Sequence, residues 1–370
     1  MFLQELRLSW YHQESVMIRA ASWAYYAPFL ITAAIMIILP LTPSGDVYHL
    51  VEVSRTVLSG GLIYRDVEFT YPPVYAYLDA LAMLVLGDNQ YAWKIAPVIF
   101  HLCTAVLLRK GVQEKTALYL YLFCPLPLLV SSYWGQFDVV AGFFSVLALI
   151  FLLKGRSSLS GLSLALGIST KYFPVILLIP FLLYLNEGRF RYLVTVISAS
   201  LLVNMPFMIL AGHLWFQQTF LFHMSRDTGG YSLYNLLAWK PFGGPSEIGL
   251  LLPISLLFLT FVTLSRRKNL VANSAMFMIV TVLFNKVVFW YAQWFLPFVI
   301  LSYYEVKRDK ILLVAVLLTQ IFVYVGPYAY LNTLFGQHAI DVVIALGWFY
   351  LLAETTVLAR LFEFGHSYRQ

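Results

Sequence analysis

Residues Pro72–Gly87 read PPVYAYLDALAMLVLG, an apolar run opened by a proline pair and closed by a glycine. Whether this run crosses the bilayer or lies along its surface sets the sidedness of everything after it, and charge decides. With the run on the outer surface and the N-terminus inside, five basic clusters become cytoplasmic: Arg109/Lys110/Lys115, Lys154/Arg156, Arg189/Arg191, Arg266/Arg267/Lys268 and Lys307/Arg308/Lys310. Counting both termini, 17 of the 24 basic residues then face inward, as the positive-inside rule requires. If the run spans, all five clusters move outside. The sequence therefore predicts a surface helix here.

The composition around this run is that of an integral membrane protein: 61% hydrophobic, 17% aromatic and only 11% charged, where soluble domains carry about 25% charged residues. Spanning helices are expected near 22–41, 91–109, 115–132, 137–153, 158–170, 172–186, 191–211, 247–265, 271–287, 290–304, 310–326 and 339–360. This gives an all-α polytopic fold of about 12 transmembrane helices plus external juxtamembrane helices, in one membrane domain over 1–370. Both termini are expected in the cytoplasm, and the N-terminal polar stretch does not resemble a cleaved signal peptide. Cys103 and Cys124 fall in apolar runs and are expected to be free, buried thiols. The net charge of +6 reflects cytoplasmic loops and calls for no nucleic-acid partner. There is no P-loop, no dinucleotide-binding glycine signature and no zinc-ligand spacing, so no cofactor and no metal is expected.

Two long loops, 42–90 and 212–246, lie on the outer face and carry charges of both signs, which places function there. After the first span come Asp46, His49, Glu52 and Arg55, spaced so that a short helix aligns 46, 49 and 52–53 on one side. Ser131–Asp138 is a polar turn between two spans, with Trp134 and Gln136. Asp138 there fits either a helix N-cap or a substrate contact. Lys171, in Ser169–Pro174, suits either an interfacial snorkelling lysine or an anion ligand. His223, Arg226 and Tyr231 flank a glycine-bearing turn, a reasonable phosphate grip. Lys286 and Gln293 bracket a Trp/Tyr-rich turn that also reads as an interfacial aromatic belt.

One carboxylate with a few scattered cations is a minimal kit for inverting sugar transfer. The carboxylate takes the proton of an acceptor hydroxyl. A phosphate leaving group needs no general acid, only cations to hold its charge.

In order, Asp46-(x5)-Glu52-(x2)-Arg55, Gly60, Tyr64, Tyr71-Pro72-Pro73, Ser131–Asp138, Lys171–Pro174, Arg226, Tyr231–Tyr234, Asn285-Lys286 and Gln293 resemble the GT-C superfamily of membrane glycosyltransferases. Within it they resemble the mannosyltransferases typified by the catalytic subunit of GPI mannosyltransferase I and their prokaryotic relatives. The resemblance implies Asp46 as catalytic base and a polyprenyl-phosphate sugar donor, usually of mannose. It also implies a lipid or glycan acceptor and an active site on the external face of a prokaryotic membrane. Lys171, Arg226, His223 and Lys286 are the expected donor-phosphate ligands. His49, Glu52, Arg55, Tyr71, Trp134, Gln136, Asp138, Tyr231 and Gln293 are expected to position substrate. Family members often carry Asp-x-Asp where this chain has Ser44-Gly45-Asp46, which fits the absence of a metal. The alternatives are a lipid-linked sugar transporter, which calls for polar groups at mid-membrane, and a non-catalytic accessory subunit.

Overall fold

The computed structural model describes residues 23–42, 45–224, 251–283, 291–305, 309–319, 349, 352–353 and 355–363. Among these the fold is helical, without strands, apart from one isolated bridge between Ile63 and Val67.

After α1 (Trp23–Ile38), the chain folds into two short helices, α2 (Gly45–Leu58) and α3 (Val74–Leu86), packed on each other. Helix α2 is amphipathic: Val47, Leu50, Val51, Val53 and Ser54 are buried, while Tyr48, Glu52 and Arg55 are exposed. Helix α3 buries Tyr75, Ala76, Asp79, Ala80 and Met83 and exposes Leu81, Leu84 and Val85. Its 13 residues extend only ~20 Å at 1.5 Å per residue, short of a ~30 Å hydrocarbon core. The later helices Leu270–Leu283 and Ala292–Glu305, with 14 residues each, are scarcely longer, so length alone does not separate a surface helix from a short membrane helix.

The membrane body follows: α4 (Ala92–Val112), α5 (Lys115–Leu122), α6 (Pro125–Ser132), α7 (Asp138–Leu153), α8 (Ser157–Ile168), a 3-10 turn (Phe173–Leu177), α9 (Leu178–Tyr184) and α10 (Arg189–Leu210). A helical segment over 213–224 comes next, then α11 (Leu251–Ser265), α12 (Leu270–Leu283), α13 (Ala292–Glu305) and α14 (Lys310–Thr319). The core lies where α4, α7, α12 and α13 meet, and every residue of α12 is buried. Helix α10 packs on α8 but leaves Leu201, Leu202, Ile209 and Leu210 exposed, the surface expected toward lipid.

Two expected spans are not continuous helices. The run 115–132 bends by 55° between α5 and α6, because Pro125 has no N–H and forces Cys124 into extended backbone. The run 172–186 begins as a 3-10 turn at Pro174 before α9. Among the described residues, Ala92–Val112 and Arg189–Leu210 are long and apolar enough to cross a membrane, and the bent pair makes a third if taken as one span. The other apolar helices described are shorter, so twelve full-length spans are not reached by length. Both cysteines are free, but only Cys124 is buried. Cys103 is exposed, since it falls on an outward face of α4 that periodicity could not assign.

Candidate active site

Asp46 sits exposed in the first turn of α2. The chain that delivers it is tied down on both sides. Thr42 N–H donates to Tyr133 O (2.7 Å), and Leu41 N–H to the Gln90 side chain (3.3 Å). Gly135 stands at φ +63°, and a Cβ there would lie 2.9 Å from Leu41 Cδ1, so only glycine lets this turn approach the segment before Asp46. Lys94, fully buried, donates to the carbonyls of Met36 (3.0 Å) and Leu39, closing the end of α1. On the exposed face of α2, His49 Nδ1 lies 3.9 Å from Glu52 Oε2, and Arg55 pairs with Asp88 at 2.6 Å. Such exposed pairs contribute little to stability.

The connection from α2 to α3 passes through Tyr64, a non-glycine residue at φ +71°. Its conformation costs on the order of 1–3 kcal/mol and is held by several bonds. The Tyr64 hydroxyl donates to Tyr71 O (2.7 Å) and its N–H to Val67 O (2.9 Å). Gln218 donates to Tyr64 O and accepts from Phe69 N–H, both at 2.8 Å. Beside it, His223 Nε2 bonds Thr70 O at 2.6 Å, and its ring lies 5.6 Å from both Tyr71 and Tyr172. Two turns separated by some 150 residues of sequence are thereby locked together. Asp66 closes the same loop, accepting from Leu62 N–H (2.7 Å) and pairing with Arg65. The Arg65 hydrogen bond, with that of Leu62, lowers the Asp66 carboxyl to about 2.

Next to this junction lies a buried ion pair, with Asp138 fully buried and Lys171 nearly so. Asp138 Oδ1 accepts from Lys171 Nζ and from Trp294 Nε1, each at 2.7 Å. The Lys171 ammonium is boxed by Tyr71, Phe137, Tyr291 and Trp294, with ring centroids 4.9–5.8 Å away. Phe173 stacks on Trp294 at 4.2 Å, Tyr75 on Phe137 at 4.4 Å, and Val74 N–H bonds Ser169 O. Asp138 opens α7 but does not cap it, because its side chain is turned to Lys171 and Trp294 and makes no cap bond.

Residues 69–289, more than half of the chain, match the family model of glycosyltransferase family 87. The chain belongs to this family. It is 26% identical over 190 residues to GPI mannosyltransferase 1 of Saccharomyces cerevisiae, covering 45% of this chain and 47% of the relative. It is 28% identical over 185 residues to GPI mannosyltransferase 1 of Kluyveromyces lactis, covering 44% and 46%. The matched segments thus span about half the length of these relatives. The fold is similar to that of ArnT from Cupriavidus metallidurans bound to undecaprenyl phosphate, with a TM-score of 0.57 and 15% identity over 94% of this chain and 78% of that one. The apo form of the same enzyme gives 0.56 at 15% identity, over 92% and 76%. This family 87 member shares its fold with that enzyme.

Within the family 87 match, the fold brings Tyr71, Asp138, Lys171 and His223 into one cluster, with Gln136 buried in the same turn and Trp134 half-buried beside it. Asp46, His49, Glu52 and Arg55 precede the matched stretch, and no hydrogen bond or ion pair joins the last three to Asp138 or Lys171. Gln293 is buried at the start of α13 with neither side-chain head atom hydrogen-bonded. Arg226, Tyr231 and Lys286 lie outside the described residues. Trp294, Tyr291 and Gln218 escaped the sequence reading. The two glutamines at 217–218 in an apolar stretch were a usable signal, whereas Trp294 read as one more interfacial aromatic.

Proposed function

We propose that this protein transfers a sugar, mannose in the first instance, from a polyprenyl-phosphate donor to a hydroxyl of a lipid or glycan acceptor, with inversion and with Asp46 as base. The acceptor oxygen attacks the anomeric carbon while its proton passes to the Asp46 carboxylate. The bond from that carbon to phosphate oxygen breaks, and its electron pair stays on the leaving polyprenyl phosphate. Lys171, Arg226, His223 and Lys286 are assigned to that phosphate. Lys171 spends one of its three N–H donors on Asp138 and retains two. The reaction is placed on the external face, with both termini cytoplasmic.

The observation that carries this reading is the junction of the two polar turns. The segment leading to Asp46 is hydrogen-bonded through Thr42 to Tyr133, in the turn that ends at Asp138, the partner of Lys171. This bond supports a reading in which the Asp46 carboxylate and the Lys171 cation serve one site. The mannosyltransferase names of the two yeast relatives support mannose, and the ArnT crystal structure with undecaprenyl phosphate supports a polyprenyl carrier.

The test is transfer from a polyprenyl-phosphate mannose by purified protein. Asp46→Asn keeps size and hydrogen bonding but cannot take the proton, so turnover should fall by at least ~10²-fold with donor binding retained. Glu52→Gln, assigned to positioning, should be milder. Near wild-type turnover of Asp46→Asn removes Asp46 as base.

A further inference from the structure

Asp138 has one doubly engaged oxygen and one idle one. Oδ1 accepts two bonds, while Oδ2 is buried and has no hydrogen-bond partner. Leaving a buried acceptor unpaired is costly, and native folds do it rarely. A carboxylate needed only to balance Lys171 could rotate so that its two oxygens shared the two donors. Here Lys171 and Trp294 converge on the same oxygen and turn the other one free. The turn that carries it is packed among rings: Phe137 stacks on Tyr75 and meets Tyr71 edge-on, and Trp294 stacks on Phe173 and on Tyr291.

We propose that Asp138 Oδ2 accepts a hydrogen bond from one hydroxyl of the transferred sugar, which makes Asp138 a specificity-determining residue and Lys171 with Trp294 its positioning partners. This rests on the donor reading above. Among the groups of a lipid-phosphate sugar, the phosphate offers only acceptors and is repelled by a carboxylate, and the prenyl tail offers nothing polar. Only sugar hydroxyls can donate. Because Lys171, the partner of Asp138, is assigned to the donor phosphate, the hydroxyl assigned to Asp138 is the donor sugar's. A site with a buried acceptor discriminates against sugars lacking that hydroxyl, because the oxygen then stays buried and unpaired. Phosphate on Lys171 and a hydroxyl on Asp138 would make this one ion pair the bridge between the two halves of the donor.

The experiment compares the full-length protein with Asp138→Asn on polyprenyl-phosphate mannose and its 2-, 3-, 4- and 6-deoxy analogues. Wild type should lose at least about tenfold in kcat/KM on one analogue. Asp138→Asn should lose a similar factor on the parent donor and show no further loss on that analogue. Intrinsic reactivity differences among the donors cancel in the ratio of the two proteins. A uniform loss on all five donors, or no loss at all, overturns the assignment and leaves Asp138 structural. If Asp138→Asn does not fold, Trp294→Phe, which frees the carboxylate to turn, should blunt the discrimination, and unchanged discrimination overturns the proposal. A wild type indifferent to every deoxygenation overturns it without any variant. Absence of transfer from all five donors overturns the donor reading itself, and the Asp138 assignment with it.

Discussion

Ser54 Oγ donates a 2.9 Å hydrogen bond to Asp79 Oδ2 inside the α2–α3 hairpin, and Asp79 Oδ1, also buried, accepts none. Burial pushes the Asp79 carboxyl up from 3.8 to about 7, the Ser54 bond pulls it down, and Asp88 adds repulsion. The folded state thus holds this proton more tightly than the unfolded chain does. Its contribution to stability is complete below pH ~4 and is lost as pH rises through ~7.

Wild-type protein should therefore lose thermal stability between pH 5 and 8 relative to Asp79→Asn, which keeps the shape without the charge. At ~1.4 kcal/mol per pKa unit, the difference amounts to a few kcal/mol at most. Asp66 and Asp88 do not blur this window. Their carboxyls are lowered by Arg65 and Arg55 respectively, so the stability they contribute is lost only below pH ~4. Melting curves of both proteins at the two pH values decide it, and a gap that does not change with pH contradicts the burial of a titrating Asp79.

The Asp138–Lys171 pair should behave as a coupled unit. Lys171→Met leaves a buried carboxylate without its cation and should cost about 3–5 kcal/mol. Adding Asp138→Asn should restore part of that loss, because the charge needing compensation is gone. A double-mutant cycle by thermal or denaturant unfolding in a fixed detergent measures the coupling. Strictly additive losses would falsify the pairing.

Gln218 ties the turn at Tyr64–Phe69 to the helical segment over 213–224. Gln218→Leu leaves Tyr64 O and Phe69 N–H without their side-chain partner, at roughly 1–3 kcal/mol per stranded group. Because Tyr64 already sits in an unfavourable backbone region, the loss should appear first as opening of residues 60–70. Limited proteolysis should cut the variant there faster than wild type, while its global melting point changes less. Equal cutting rates would mean that the loop stands without this tie.

What could be read in the sequence was local. The 46/49/52 spacing foretold α2, while charge asymmetry gives for Pro72–Gly87 an expectation of sidedness that only labelling can test. Helix breaks were missed because Pro125 and Pro174 sit in runs whose hydropathy alone looks continuous. The polar residues of the site were found one by one, but their pairings were not. Lys171 meets Asp138 across 33 positions and Trp294 meets Asp138 across 156. No periodicity within a single chain reports partners at such separations. Lys171 therefore reads as a snorkelling lysine or an anion ligand, and Asp138 as a cap or a substrate contact, but neither reads as the other's partner.

Sidedness yields the last prediction. Cysteine labelling needs a clean background, and the exposed Cys103 must first become serine, whereas Cys124 is buried. Gly111 is a poor probe, since a Cβ there would meet Leu301 Cδ2 at 3.1 Å. Ser59, exposed just beyond α2, and Ser158, exposed in the first turn of α8 next to Lys154 and Arg156, are better placed. If the α2–α3 hairpin lies outside, a membrane-impermeant maleimide should label Ser59→Cys in intact cells and Ser158→Cys only after permeabilisation. The reverse pattern would put the hairpin, and Asp46 with it, on the cytoplasmic face. A donor presented from the outer leaflet could then not reach the base.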